Sequence, residues 1–314
     1  YYHSNHFICT NCSGDLRNGA VYVESGLKYD SVCYFELFVP KCAHCGEPVS
    51  GQYVESDSNT YHAHCFENHV GFRCGVCGEV IYGHYIIDGR GNTVHSTHKD
   101  KLPNCDYCGS FITQNLTGGS QTYEDGRTVC GLCVKTAIND IDEARQLMAE
   151  IIVSMAARGI NIDEKKIPLE LVDLPRMKQK MSGNYDDPSG FTTYKRESVI
   201  PGIWSVRDFN IYVLHGMPRA QCAFTLAHEL MHVWLFKNAP SDISHILTEG
   251  SCQYAASLML LGLDDPEAGM VWRKTKEDPD PIYGEGLRNV DAYVQRVGID
   301  GWLEYLKGHT DPPW

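Results

Sequence analysis

No stretch of this 314-residue chain approaches the ~18 consecutive apolar residues of a membrane span. The longest apolar run, Ala255 to Leu263, reads as part of a buried helix instead, and no membrane partner is expected. Basic residues are scarce: 27 Lys and Arg face 40 Asp and Glu, a formal net charge of −13. Within residues 1–135 the balance is 9 against 14, or −5. Fingers that grip phosphate backbones need a basic face, so nucleic acid is excluded as a partner and protein partners fit better. Cysteine is nearly absent from the second half, where only Cys222 and Cys252 fall, while the other twelve of the 14 precede residue 134. A secretory leader is lacking too, but the chain begins inside a metal-binding pattern and so reads as a piece of something longer. The length suggests about two domains, with enough chain to bury a sizeable core.

What the first half does have is zinc-site spacing, which is typical of reducing compartments. His3, His6, Cys9 and Cys12 follow at intervals of three, as at the centre of a LIM domain, where one zinc's last ligands run into the next zinc's first. The Cys-x-x-Cys that should precede His3 is missing, so no well-formed site is expected on His3 and His6. Cys9, Cys12 and Cys33 form a site whose fourth LIM position is Glu36. Cys42 and Cys45 with His62 and Cys65, then Cys74 and Cys77 with His95 and His98, are two tetrahedral sets in tandem. Cys105, Cys108, Cys130 and Cys133 make a plain four-cysteine site. The expected organisation is a partial LIM domain over 1–38, a two-zinc LIM domain over 39–100 and a LIM-like finger over 101–135, with about four structural zincs. Closed sites do no chemistry of their own, so these fingers either scaffold partners or brace the remaining chain.

Beyond Cys133 the pattern turns helical. Ile138, Ile141, Leu147, Met148, Ile151, Ile152 and Met155 predict one amphipathic helix over 136–158, closed by Gly159. Residues 167–172 read as a strand, and Ser182 to Gly190 as a polar loop. Phe209 to Leu214 reads as a strand that serves either as a substrate edge or as an internal strand, and Pro218 starts the next helix. Asp264 to Pro281 reads as an acidic, proline-punctuated link, followed from Tyr283 by two short helices ending near Lys307.

The chemistry concentrates in Thr225-Leu226-Ala227-His228-Glu229-Leu230-Met231-His232. On a helix His228 and His232 stack one turn apart and present two imidazoles to a single metal ion, with Glu229 beside them. Two histidines and a glutamate among so many apolar neighbours would be costly to bury without partners, and a metal supplies them. With sixteen residues between it and His232, Glu249 opens a second apolar run and is the third candidate ligand, leaving a fourth position for water. Glu229 is the candidate general base, and Tyr283 the first candidate to stabilise the oxyanion, ahead of Tyr254 and His245. In thermolysin-like enzymes an acid four residues beyond the ligand glutamate orients a ligand histidine; here that position is Gln253, so another group must do that. The fold class expected is therefore α+β: tandem zinc-ribbon or LIM-type fingers, then a mainly helical zincin (gluzincin-like) peptidase domain over 136–314 with a small sheet.

Several flanking motifs are specific. Cys130-Gly-Leu-Cys133 running into Thr136-Ala-Ile-Asn-Asp140, Ile167-Pro-Leu-Glu-Leu-Val172 and Val213-Leu-His-Gly-Met-Pro-Arg219 resemble the plant DA-one family of LIM-domain zinc peptidases. Glu249-Gly-Ser-Cys-Gln253 and Tyr283-Gly-Glu-Gly-Leu-Arg288 continue the resemblance across nearly the whole chain. It implies a ubiquitin-activated, zinc-dependent endopeptidase of the cytoplasm, or also the nucleus, that makes limited cuts in ubiquitin ligases and growth regulators. The ubiquitin-interacting motifs common in that family are not in this sequence. The alternative function is a LIM adaptor with an inactive peptidase-like domain; the intact Glu229 argues against it.

Overall fold

The computed structural model describes residues 7–162, 167–181, 189–200 and 203–314. His3, His6 and most of the loop expected from Ser182 lie outside the described residues. The architecture is α+β, and the chain divides into two compact units: Tyr1–Ile86 with Thr93–Ser96, and Ile87–Asn92 with Thr97–Trp314.

One small motif is built four times. In each, the N–H of a first cysteine (Cys9, Cys42, Cys74, Cys105) donates to the carbonyl five residues on, at 2.8–2.9 Å. The cysteine's own carbonyl accepts from the N–H four residues on, again at 2.8–2.9 Å. That fourth residue directly follows the second cysteine and is left-handed: Ser13, Gly46, Gly78 and Gly109 have φ of 61°, 77°, 77° and 67°. Glycine meets this demand without steric cost, hence its use at three of the four. The N–H after the first cysteine then bonds the second strand of a hairpin, through the carbonyls of Lys28, Thr60, Thr93 and Thr128. The apolar clusters inside are tiny, such as Cys42, Val49 and Cys65. Cores of that size do not hold a fold alone, so the first three modules need a further tie, which a metal on their converging donors would supply.

In the second unit, β1 (Leu169–Val172), β2 (Gly190–Ile200) and β3 (Ile203–Leu214) form a sheet in the order β1-β3-β2. β1 runs parallel to β3, with Leu169 opposite Ile211, and β2 antiparallel, with Gly190 opposite Val213. Phe209 to Leu214 thus lies in the central strand, not at an edge; its near-continuous apolar run marks a strand covered on both faces. Helix α1 (Ile141–Ala156) starts later than the spacing predicts. Asp140 accepts the N–H of Asp142 and Glu143 at 2.8 and 3.1 Å and so caps it. Ala137–Ile138 pairs instead with Met217–Pro218. Helix α2 spans Leu174–Met181.

Helix α3 (Arg219–Asn238) follows Pro218 and is buried nearly all round, against α1, the sheet and α4 (His245–Leu260). The stretch read as a link contains a helix, α5 (Ala268–Lys276), because Ala268 and Val271 find the main core. Helix α6 (Gly284–Gly308) breaks at Gly298, φ 77°, giving the two helices the sequence suggests. Gly250 of α4 meets Gly286 of α6 so closely that an added Cβ would lie 2.6 Å from the Gly286 carbonyl carbon. Among the described residues no helix is long and apolar enough to cross a membrane.

The fourth finger belongs to this second unit. Arg127 pairs with Asp125 at 2.7 Å and donates to the His215 carbonyl at 2.9 Å, at the end of β3. Asp125 in turn accepts the Leu174 N–H, at the start of α2, at 3.1 Å.

Candidate metal centres and active site

Helix α3 stacks His228 and His232 one turn apart, with their Nε2 atoms 3.2 Å from each other. The carboxylate of Glu249, from α4, closes a triangle: its Oε2 lies 3.2 Å from His228 Nε2 and 3.5 Å from His232 Nε2. Zinc ligands at about 2.05 Å in a tetrahedron stand ~3.3 Å apart, so these three atoms have the spacing of one open-sided site. Burial works against the Glu249 charge, but the two imidazoles outweigh it and hold the carboxyl well below its usual range. Sequence reasoning missed Cys252, buried one turn after Glu249, whose thiol lies within 4.8 Å of a ring nitrogen on each histidine. Burial pushes that thiol up to about 11, so at neutral pH the ionised donor of the pair is Glu249. Among the described residues, His232 Nδ1 and Gln253 Oε1 are buried with no hydrogen-bond partner. Cys252 is therefore the group placed near His232 where an acid was expected.

Glu229 is 5% exposed and points the other way, toward β2. Thr192 Oγ1 donates to its Oε2 at 2.6 Å. A side chain on Gly190 would come within 2.9 Å of Glu229 Oε1, so the glycine keeps that oxygen accessible. Both residues border a cavity of about 360 Å³ that His228, Phe224, Val271 and Tyr283 also line. The rings of Tyr283 and His228 are 6.5 Å apart. His245 Nε2 sits 3.5 Å from Glu249 Oε1. Tyr254 is instead buried edge-on against Trp302, with ring centroids 5.1 Å apart, and does not border the cavity.

The finger clusters have complete donor sets. Cys42, Cys45, His62 and Cys65 converge, as do Cys105, Cys108, Cys130 and Cys133. Cys74, Cys77 and His95 gather likewise, with His98 on the turn directly after His95. His62 Nε2 faces the Pro48 carbonyl at 3.1 Å, which leaves Nδ1 toward the Cys45 thiol at 3.4 Å. His95 repeats this with the Val80 carbonyl and Cys77, at 3.3 and 3.5 Å. A carbonyl behind an imidazole is the usual outer support of a zinc ligand.

The first cluster corrects the sequence reading, because Cys9, Cys12 and Cys33 are joined by Asp30 and not by Glu36, which is exposed. Asp30 caps the helix Ser31–Phe38, accepting the Cys33 N–H on Oδ1 at 2.8 Å, while its Oδ2 meets the Cys12 thiol at 2.9 Å. The signal was available. Asp30-x2-Cys33 has the spacing of His62-x2-Cys65, His95-x2-His98 and Cys130-x2-Cys133.

Tandem modules of this kind define a LIM-type zinc-finger protein, here continued by an α+β unit carrying H-E-x-x-H. Within that class the chain resembles the DA1 family, the DA-one family of the sequence motifs. The family profile described as Protein DA1 matches residues 202–264. Across nearly its whole length the chain is similar to Protein DA1 of Arabidopsis thaliana, 23% identical over 362 residues, covering 98% of this chain and 63% of that protein. It is 25% identical over 291 residues to the LIM domain-containing protein HDR3 of Oryza sativa subsp. japonica, covering 83% of this chain and 52% of that one. A shorter match, 38% over 66 residues, joins 21% of this chain to 12% of Paxillin-B of Dictyostelium discoideum. The chain thus spans less than two thirds of the length of these curated relatives.

Proposed function

We propose that this chain is a zinc-dependent endopeptidase of the gluzincin type, with LIM-type modules that bind partners or regulate it. The triangle of His228, His232 and Glu249, with sides of 3.2, 3.2 and 3.5 Å, carries this reading. A zinc ion held by His228, His232 and Glu249 would supply Lewis acidity toward a scissile carbonyl and a water molecule. Glu229 takes the proton from that water and returns it to the leaving amine nitrogen. The Thr192 hydroxyl occupies one Glu229 oxygen and the bare Gly190 leaves room at the other, an arrangement suited to a base that works with one oxygen. Tyr283, on the same cavity, is the donor for the carbonyl oxygen as it gains charge. β2 is the edge strand beside Glu229, so an extended substrate would add itself there.

Limited cutting of ubiquitin ligases and growth regulators, triggered by ubiquitination in the cytoplasm or nucleus, extends the proposal and rests on the family resemblance. The deciding experiment compares the full chain with Glu229→Gln, before and after ubiquitination, with bound metal measured in both. Loss of cutting at unchanged metal content is expected. If the variant cuts as fast, or the intact chain never cuts in either state, the adaptor reading replaces this one.

A further inference from the structure

Helix α5 has two occupied faces. One borders the cavity of His228 and Glu229 through Val271 and Thr275, with Lys274 at the boundary between the two. The other meets the fourth finger at residues 267, 270 and 274, the spacing of a single helical face. Glu267, at the N-cap of α5, is paired with Arg90. Met270 packs on the apolar cluster formed by the finger's four cysteines, Ile112, Tyr123 and Val129. Lys274 Nζ donates to the Tyr107 carbonyl at 3.4 Å. The helix is a partition with the finger's metal site on one side and the cavity on the other.

Arg90 is the joint. Its segment, 87–92, is held by the buried carboxylate of Asp88, which accepts the N–H groups of Arg90 and Asn92, both at 2.9 Å, and the Ser110 hydroxyl at 2.6 Å. Gly89 lies so near the finger that a Cβ there would fall 1.8 Å from the Cys108 carbonyl oxygen. From this platform the guanidinium donates through Nε to the Cys108 sulfur at 3.3 Å and through a terminal nitrogen to the Cys133 sulfur at 3.2 Å. The same terminal nitrogen binds Glu267 Oε1. Glu267 is 5% exposed and, among the described residues, its other oxygen is buried without a hydrogen-bond partner, so Arg90 is what compensates its charge there. Four thiolates around a divalent ion carry a net charge of about −2, which a forked, permanently charged guanidinium offsets while still reaching the carboxylate.

We propose that Arg90 and Glu267 are positioning residues that couple metal occupancy of the four-cysteine site to the placement of α5, and hence to the shape of the cleft beside Glu229. The fourth finger is then a working part of the hydrolytic unit. The inference rests on the proposed function only in calling that cavity a catalytic cleft.

The test uses the full zinc-loaded chain, with thiol alkylation read at each cysteine and amide exchange read over 271–276. In Arg90→Ala, Cys108 and Cys133 should alkylate ~10- to 100-fold faster, the usual cost of losing an outer partner of a metal ligand. The α5 amides should exchange at least about tenfold faster, while Cys42 and Cys65 keep their wild-type rates and so exclude general unfolding. Arg90→Lys, which keeps the charge but not the fork, should fall between. Glu267→Gln should loosen α5 while leaving the finger cysteines protected, which fixes the order of the chain of contacts. Wild-type exchange of α5 in Arg90→Ala, or in Glu267→Gln, overturns the coupling. No readout needs cleavage, so a chain that fails to cut counts against the proposed function alone.

Discussion

Substituting Asp125 by Asn removes the negative half of an ion pair whose side chains are 1% and 8% exposed, for Asp125 and Arg127. Arg127 would keep the His215 carbonyl and the Tyr107 hydroxyl as acceptors, but its charge would be left buried and uncompensated. Breaking such a pair from one side costs about 3–5 kcal/mol. Linkage gives a similar scale. Burial alone would raise the Asp125 pKa, yet the Arg127 guanidinium and the Leu174 N–H bring it down to about 2. Against an ordinary value of 3.8 that is roughly 2–3 kcal/mol. Because the folded value is the lower one, this stability is complete above pH ~4 and lost as pH falls toward ~2. Zinc thiolates protonate in acid too, so substitution at pH 7 isolates the pair better than titration. For a unit of this size, 3–5 kcal/mol lowers the melting temperature by ~6–20 °C. The assay is thermal and urea unfolding of the zinc-loaded full chain. Replacing both partners, Asp125→Asn with Arg127→Met, should recover part of the loss, since no lone charge remains. A loss below ~1 kcal/mol in Asp125→Asn would refute the claim that this pair fastens the finger to β3 and α2.

Other substitutions separate the remaining assignments. Asp30→Asn should weaken zinc at the first site by about tenfold or more and leave Glu36→Gln like wild type, read by competition with a chelator; the reverse result would restore Glu36 as the ligand. Thr192→Val removes a charge-assisted hydrogen bond worth about 1.5–3 kcal/mol, so kcat should fall ~10- to 100-fold with KM little changed, and Thr192→Ser should rescue it. An unchanged kcat would mean that Glu229 needs no positioning. Gly250→Ala forces apart α4 and α6 at their closest approach and should cost ~1–3 kcal/mol, read by urea unfolding. A neutral outcome would show that the contact is loose. Metal analysis should find about five zincs per chain, and His232→Ala about four; an unchanged count would mean that α3 holds no metal.

The parts of the site set by local geometry were legible in the residues themselves. The turn spacing of His228 and His232, and the C-x2-C knuckles, three of the four with glycine after the second cysteine, depend on backbone periods that residue order reveals. Asp30 is legible too, by the repeat of x2 spacing, although it precedes Cys33 and doubles as a helix cap. Boundaries failed where a single capping side chain outweighed periodicity, as at Asp140, and the helix at 268–276 hid among prolines and acids because its stability comes from burial of Ala268 and Val271.

Sequence by itself determined most of the residues that could ligate metal, though not Asp30 or Cys252, how many modules the first half holds and that the second half is largely helical and carries H-E-x-x-H. Only tertiary structure decided which strand is the edge, that Cys252 lies by His232, and that Thr192 holds Glu229. Nor does the order of residues disclose that Arg90 reaches Glu267 across 177 positions. Spacing along a chain encodes contacts within one or two turns, whereas a contact between distant segments exists only once burial of the core has chosen how helices and sheet pack.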